Sequence, residues 1–257
     1  MTTTEIRCDI ATVAGASVAT ITIDGPKRLN VLGKASSEAL RDTVRQVSGD
    51  EDVRAIVIRG GGDKAWIGGA DIYEMKDMGA ESGRAFITAL HEAIAAIRDA
   101  PVPVIAAVNG YCLGGGLEVA AGCDVRIASE NAKFGMPEVR VGLPSVIEAA
   151  LLPRLIGWGR TSWLLLSGSI IDAQRAYEWG FVEEVVPADD LDAAVENFLA
   201  AIANSGPVAI RTQKALMRRW EDVPLDDAVQ AGIDAFAGTF DTDEPQHMMR
   251  KFFERKR

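Results

Sequence analysis

The stretch PVIAAVNGYCLGGGLEVAAGCDVRIAS, residues 103–129, carries the pattern that decides the fold. An apolar run at 103–109 leads into three consecutive glycines at 114–116, then into a short helical pattern and a second apolar run at 123–129. Short apolar runs bounded by turn residues are typical of buried strands. Strands that alternate with helices in this way predict a parallel sheet. The stretch therefore indicates an α/β protein.

The preceding residues repeat the alternation of strand and helix. Residues 5–23 predict two strands joined by a turn, residues 34–47 carry apolar side chains at helical spacing, and residues 53–60 form a short apolar run that ends in glycine. A short helix beginning at Asp71 and a longer amphipathic helix that Pro101 ends come next. Since a strand, helix, strand order favours a right-handed crossover, we expect these strands to pair in parallel.

The character of the chain changes near residue 145. From there the pattern is helical, interrupted only by a strand pattern at EEVVP, residues 183–187, whereas GGGDKAWIGG at 60–69 is interpreted as a loop. We expect two regions: a core of residues 1–200, and a helical C-terminal region of residues 201–257 that serves oligomerisation or covers the site.

Composition argues against several classes of protein. The formal net charge is −10, whereas a nucleic-acid surface needs a basic patch. No apolar run approaches the roughly 20 residues that span a bilayer. The three cysteines, Cys8, Cys112 and Cys123, lack C-x-x-C spacing, and an odd number suits a reducing compartment. We therefore expect a cytoplasmic protein without a signal peptide, and neither nucleic acid nor membrane as a partner.

Metal-dependent and nucleophilic chemistry have little support in the sequence. The two histidines, His91 and His247, belong to no H-E-x-x-H motif or Cys/His cluster, and G-x-S-x-G is absent. We expect His91 at the surface or edge of its helix, no metal site, and Cys112 and Cys123 as small core residues.

Two segments share one design, in which a buried strand runs into glycines and the glycines run into a helix. They are VIRGGGDKAWIGGADIYEM at 57–75 and VIAAVNGYCLGGGLEVA at 104–120. The first turn of a helix leaves N–H groups without intrahelical partners, so each segment can aim backbone donors at an oxygen atom. Neither segment fits the dinucleotide fingerprint or the phosphate loop. The alternative interpretation is that the glycines only allow close packing of helix on strand.

Two glutamates lie in mostly apolar surroundings. Glu118 follows the second glycine run, and Glu138 stands in FGMPEVRVG. A pair of carboxylates in a partly desolvated pocket could transfer protons. Alternatively, Glu118 is a solvated acid that complements the helix dipole. The spacing alone leaves both interpretations open.

Together these motifs resemble the enoyl-CoA hydratase/isomerase (crotonase) family. The motifs are GGADIYEM at 68–75, the opening stretch at 103–129, AKFGMPEVRVGL at 132–143 and LLPRLIG at 151–157, and the likeness extends over essentially the whole chain. It implies an α/β fold built as a crotonase-like spiral of β-β-α units with a helical C-terminal region. It also implies a homotrimer or a dimer of trimers.

The resemblance further implies an acyl-CoA thioester substrate and no separate cofactor, since coenzyme A is part of the substrate. The thioester carbonyl would lie between the backbone N–H groups of Ala70 and Gly115. Both glutamates of the hydratases are present, so Glu138 would donate a proton to the α-carbon while Glu118 orients and deprotonates the water. Water would add across the 2,3 double bond of a 2-enoyl-CoA.

Other contacts with the substrate follow from the same resemblance. Lys27, Arg28 and Lys64 would meet the phosphates of coenzyme A, and Phe252 and Lys256 would come from a neighbouring subunit, although all could be ordinary surface residues. The full set of expected substrate contacts is Lys27, Arg28, Lys64, Gly68, Asp71, Ile72, Gly114, Ser145, Phe252 and Lys256.

The segment GLPSVIEAALLPRLIG, residues 142–157, departs from the family pattern. Hydratases usually carry G-x-x-P-G-x-G-G-T here, and this chain is one residue shorter, with SVIE at 145–148 in place of the glycine-rich turn. We expect a narrower or differently shaped acyl pocket. For Glu148 we expect a charge at a helix start that faces solvent, with a third acid near the site as the alternative.

The departure leaves alternatives to hydration open. The same enolate-stabilising site could serve isomerisation, decarboxylation or C–C cleavage. A non-catalytic acyl-CoA-binding relative is a further alternative.

Overall fold

The computed structural model describes residues 4–25, 27 and 29–254. Arg28 and Lys256 lie outside the described residues. The strands are β1 (Glu5–Val13), β2 (Ala16–Asp24), β3 (Val53–Gly60), β4 (Ala65–Ile67), β5 (Val104–Val108), β6 (Tyr111–Leu113), β7 (Val125–Ser129), β8 (Lys133–Gly135), β9 (Ile170–Asp172) and β10 (Glu184–Val186).

Helices fill the spaces between the strands and most of the C-terminal third. They are α1 (Lys34–Ser48), α2 (Ile72–Met75), α3 (Ala80–Asp99), α4 (Gly115–Gly122), α5 (Leu152–Ile156), α6 (Trp158–Ser167), α7 (Ala173–Glu178), α8 (Leu191–Ala203), α9 (Pro207–Trp220), α10 (Leu225–Thr239) and α11 (Glu244–Glu254). In the described part of the chain, no helix has the length and apolar character needed to cross a membrane.

Six strands form the larger sheet, in the order β1-β2-β3-β5-β7-β10. β1 and β2 are an antiparallel hairpin, and every other pairing in this sheet is parallel. The predicted hairpin, the parallel pairing and the α/β class are confirmed. The order places β3, β5 and β7 side by side, so their carboxyl ends open toward the same edge.

A second sheet, in the order β4-β6-β8-β9, was not predicted. Its strands are three residues each, too short for periodicity to distinguish them from loops. The loop interpretation of GGGDKAWIGG is wrong over Ala65–Ile67, which is β4. EEVVP is not the only interruption of the helical tail either, because Ile170–Asp172 forms β9.

The central strands of the larger sheet, β3, β5 and β7, are buried on both faces. On one side α1 and α3 supply the buried residues Leu40, Val44, Leu90 and Ile94, and on the other side α8 packs through a second apolar cluster that includes Leu199. Burial on both faces explains why the strands read as continuous apolar runs rather than as alternating patterns. Cys112 and Cys123 are buried, as expected for small core residues.

Helix α4 is buried along its whole length, so its ends need partners inside the protein. The buried guanidinium of Arg126 donates to the carbonyl oxygens of Ala120 (3.1 Å) and Cys123 (2.8 Å) at the C-terminal end. It also donates to the Phe181 carbonyl, at 2.6 Å, and pairs with Glu183. These bonds satisfy the carbonyl oxygens at the C-terminal end of α4.

The C-terminal helices are attached to the core by a buried lysine on α9. The Lys214 ammonium donates to the Val102 carbonyl (2.9 Å) and to the Asp124 carboxylate (2.7 Å). Asp124 in turn accepts the Val104 N–H, at the start of β5. The division of the chain at residue 200 stays a prediction.

Candidate active site

The two glycine-rich connections meet at the N-terminal end of α4. β4 and β6 pair in parallel, and the chain leaving β4 passes Ala70 while the chain leaving β6 enters α4 at Gly115. A Cβ atom built on Gly115 would lie 3.6 Å from the Ala70 nitrogen. The backbone N–H groups of these two residues are therefore neighbours, as the sequence analysis expected.

Both N–H groups are available to a ligand. Among the described residues, Ala70 N–H donates no hydrogen bond. Gly115 is the first residue of α4, where the helix offers no acceptor for the N–H. Donors of this kind, already oriented and partly buried, suit an oxygen atom that gains negative charge during a reaction.

Neighbouring backbone contacts hold the Ala70 segment in place. The Leu32 N–H donates to the Gly69 carbonyl and the Asp71 N–H donates to the Leu32 carbonyl, each at 2.8 Å. Gly68 N–H donates to the Leu29 carbonyl at the same distance. The Asp71 side chain accepts the Tyr73 N–H and caps α2. Gly68 and Asp71 thus surround the predicted donor as parts of its support.

Gly114 shows why glycine is needed where β6 turns into α4. Its φ is +53°, in the left-handed region, and a Cβ there would overlap the Glu138 carboxylate. Its N–H donates to the Gly135 carbonyl at 2.8 Å. The turn therefore brings the Glu138 carboxylate against the backbone that precedes Gly115.

Glu118 lies in the first turn of α4 and is buried. Its Oε1 accepts the Ala149 N–H at 3.0 Å. The pKa of the carboxyl is raised to about 8, mainly by burial; the nearby Glu138 and Glu148 contribute to the rise, and the hydrogen bond from Ala149 opposes it. The interpretation of Glu118 as a solvated acid is wrong.

Glu138 begins a short 3-10 helix, Glu138–Val141, after β8. The side chain is half-buried, and its Oε2 accepts the Ser145 hydroxyl at 2.9 Å. Burial raises the pKa of this carboxyl as well, against the lowering effect of its hydrogen bonds. Two carboxyl groups that both resist ionisation are suited to proton transfer near neutral pH.

One cavity of about 360 Å³ joins these groups. Ala70, Gly115, Glu118, Glu138 and Ser145 line it. The rest of the wall is mainly apolar and comes from α2, α3, the turn between these helices and the first part of the segment that departs from the family pattern: Met75, Met78, Gly79, Gly83, Phe86, Ile87, Leu90, Leu143, Pro144 and Val146. An apolar cavity with a few convergent polar groups is the usual form of a small-molecule site.

The expected coenzyme A contacts are not brought into this cavity. Lys27, Lys64, Ile72 and Phe252 are exposed residues outside its lining. Their role in binding the nucleotide portion stays a prediction. The apolar residues of the cavity wall were not predicted as site residues. Phe86, Ile87 and Leu90 could have been, because the helical spacing of α3 places them on one face of that helix.

Glu148 does not lie in solvent, where the sequence predicted it. The side chain is 4% exposed and does not face solvent, because its 3-10 helix, Ile147–Leu151, packs against α3 and α4. His91 on α3, itself half-exposed as expected, places its Nδ1 2.7 Å from Glu148 Oε1. The segment that departs from the family pattern therefore brings a third carboxyl group close to Glu118.

The comparisons with known proteins agree with this geometry. The family model described as enoyl-CoA hydratase/isomerase matches residues 13–257. The chain belongs to the enoyl-CoA hydratase/isomerase family. Among curated members, a short-chain-enoyl-CoA hydratase of Clostridium acetobutylicum is 35% identical over 93% of this chain and 92% of its own. A crotonyl-CoA hydratase of Syntrophomonas wolfei is 36% identical over 93% of each chain.

Solved structures of the family share the fold. The crystal structure of an enoyl-CoA hydratase from Bacillus anthracis is 33% identical and superposes with a TM-score of 0.92, covering 97% of this chain and 96% of its own. The chain therefore has the crotonase fold that the sequence predicted.

Replacing Glu118 with glutamine tests the charge state of this buried carboxyl. The pKa is raised from 4.5 to about 8, so over this range the folded protein holds a proton that the unfolded chain releases. The free energy of unfolding should then fall with rising pH, by about 1.4 kcal/mol per pH unit. E118Q should lack this pH-dependent loss of stability. The difference in the free energy of unfolding between E118Q and the wild type should therefore grow up to about pH 8 and then stay constant.

Urea unfolding at about pH 5, 7 and 9 measures the difference. E130Q, which changes an exposed glutamate, is the matched control and should follow the wild type. Parallel profiles for E118Q and the wild type would show that Glu118 ionises in the folded protein as readily as in the unfolded chain.

Proposed function

We propose that the protein catalyses the addition of water to the 2,3 double bond of a 2-enoyl-CoA thioester to give a 3-hydroxyacyl-CoA. One observation carries this proposal: two backbone N–H donors and two carboxyl groups line a single apolar cavity. The protein is an enoyl-CoA hydratase that acts on an acyl-CoA thioester, and its family and the names of its relatives favour this reaction over isomerisation, decarboxylation or C–C cleavage.

The N–H groups of Ala70 and Gly115 receive the thioester carbonyl oxygen. When water attacks the β-carbon, electrons move from the double bond toward this oxygen and an enolate forms. Preformed donors stabilise the developing charge more than the ground state, and losing one such donor typically costs about 100-fold to 1,000-fold in rate. The α4 dipole, whose positive end lies at Gly115, acts in the same direction.

The two glutamates handle the protons of the addition. A water molecule held between them loses one proton to Glu118 as its oxygen bonds to the β-carbon, and Glu138 delivers one proton to the α-carbon. In the empty site the more buried Glu118 holds its proton more strongly. Water bound between the carboxyl groups then passes that proton to Glu138 before the addition, so the number of protons in the site is unchanged.

The size and composition of the cavity favour a short acyl chain. A cavity of about 360 Å³ lies near the lower end of the usual range for ligand pockets, about 300 to 1,000 Å³. Val146 stands in its wall at a position where the family pattern has the glycine-rich turn. Relatives named for short-chain and crotonyl substrates support the same choice. Crotonyl-CoA is therefore the first substrate to test.

Replacing Glu138 with glutamine tests the proton donor. E138Q keeps the shape of the side chain and a hydrogen bond with Ser145 but cannot donate an acidic proton. We expect kcat/KM for crotonyl-CoA to fall by about 100-fold to 10,000-fold. The assay follows loss of the conjugated thioester absorbance, and mass spectrometry checks that the product has gained one water.

The exposed Glu130 supplies a control, because E130Q should retain wild-type turnover. Near-normal activity of E138Q would remove Glu138 from the proposed role. A wild-type product with the mass of the substrate would instead indicate isomerisation, and binding of acyl-CoA with no product would indicate a non-catalytic relative.

We also propose that the protein forms a homotrimer or a dimer of trimers in the cytoplasm. Helix α10 packs on α9 through small residues and exposes a stripe of four apolar side chains at helical spacing: Val229, Ile233, Phe236 and Phe240. Phe236 is 70% exposed, and an apolar stripe of this kind is typical of a contact surface. The three free cysteines suit a reducing compartment.

Sedimentation velocity tests the assembly. The wild type should sediment at three or six chain masses, and I233D/F236D should shift to smaller species because two charges would be buried at the contact. D234K, on another face of α10, is the control and should leave the assembly intact. A monomeric wild type would contradict the proposed assembly.

A further inference from the structure

Glu148 is a buried carboxyl group that the hydration steps above do not use. Its side chain is 4% exposed, and among the described residues its Oε2 has no hydrogen-bond partner. An unsatisfied buried carboxylate oxygen is costly, so its retention in a well-packed interior needs an explanation. The position belongs to the SVIE segment, where this chain departs from the glycine-rich pattern of the family.

The backbone next to the buried Glu148 is strained. Ile147 has a φ of +38°, a conformation that a β-branched residue rarely adopts. Such strain persists only where the surrounding structure determines the conformation, and it concentrates at functional sites. The 3-10 helix that follows packs between α3 and α4.

The ionisable groups on the elements that pack against this helix differ in how they interact with Glu148. From α3, His91 Nδ1 lies 2.7 Å from Glu148 Oε1 and is positioned to donate to it. From α4, Glu118 interacts with the charge of Glu148. Arg154 on α5 is directed away, since it donates to the Glu221 carbonyl. His91 is therefore the residue that holds Glu148 in place, and Glu118 is the group on which the charge of Glu148 acts.

The contact with Glu118 runs through one peptide unit. The amide that joins Glu148 to Ala149 supplies the N–H that donates to Glu118 Oε1 at 3.0 Å. Any shift of Glu148 moves this donor, and a change in its charge acts on Glu118 because both side chains are buried. Geometry and charge thus both connect the exposed His91 to a carboxyl group of the site.

We propose that Glu148, held by His91, is a positioning residue that orients the Glu118 carboxyl group through the Ala149 N–H. The inference rests on the proposed function, because it assigns a role within the hydration site. Like charge beside a carboxyl group disfavours its ionisation, so a third carboxylate keeps a proton in the pair that carries out the addition. The contact with His91 holds Glu148 Oε1 in place, while Oε2 has no hydrogen-bond partner among the described residues.

The pH dependence of kcat/KM for crotonyl-CoA tests the proposal in E148Q. Glutamine keeps the size of the side chain and its contact with His91 but removes the charge. The limb of the profile that reports Glu118 should move to lower pH by about one unit, because Glu118 then ionises more easily. A residue that only supports the fold would lower activity without moving the profile.

H91A provides a second measurement that does not depend on the folding of E148Q. His91 is half-exposed, so truncating it leaves the core intact. Without this contact Glu148 is no longer held beside Glu118, so its charge should act less on Glu118 and the profile should move in the same direction as in E148Q. H91Q, whose amide can donate to the same oxygen, should restore the wild-type profile. E92Q, on the same helix and paired with Arg41, is the charge-removal control.

Two outcomes separate this inference from the proposed function. If the wild type hydrates crotonyl-CoA and the profiles of E148Q and H91A coincide with that of the wild type, the role of Glu148 is overturned while the hydratase assignment stands. If the wild type does not hydrate any 2-enoyl-CoA, the proposed function itself fails. A shift toward lower pH in both variants, restored by H91Q, supports the positioning role.

Discussion

The site depends on the parallel pairing of two three-residue strands, β4 and β6. This pairing sets the two glycine-rich connections side by side, and so it sets the distance between the N–H groups of Ala70 and Gly115. The tight approach of Gly116 to the Ile67 carbonyl, where a Cβ would overlap the oxygen, shows how little freedom remains. Arg126 satisfies the carbonyl oxygens at the C-terminal end of α4.

Buried carboxyl groups lie around this donor pair, although burying a carboxylate in a protein interior is unfavourable. Glu118 and Glu138 both have raised pKa values, mainly because burial disfavours their charged forms. This burial penalty suits proton transfer, because a carboxyl group that keeps its proton near neutral pH can donate it. Glu148 and His91 continue this cluster of ionisable groups toward solvent. They link the SVIE segment, residues 145–148, to the pKa of Glu118.

Much of this could be predicted from sequence, for identifiable physical reasons. The central strands of the larger sheet, β3, β5 and β7, are apolar runs with clear boundaries, and Glu118 and Glu138 stand out as acids among apolar neighbours. The second sheet escaped prediction because three-residue strands have no period. Glu148 was placed in solvent because a charge at a helix start normally lies there; its burial depends on α3 and α4 packing over it, which local sequence does not encode.

We propose that the N–H groups of Ala70 and Gly115 together bind and polarise the thioester carbonyl. Difference infrared spectroscopy of a bound acyl-CoA, labelled with carbon-13 at the thioester carbonyl, measures this polarisation directly. Two hydrogen bonds in a partly desolvated site should weaken the C=O bond and move its stretching band to lower frequency than in water. A bound carbonyl that absorbs at its frequency in solution would contradict the account.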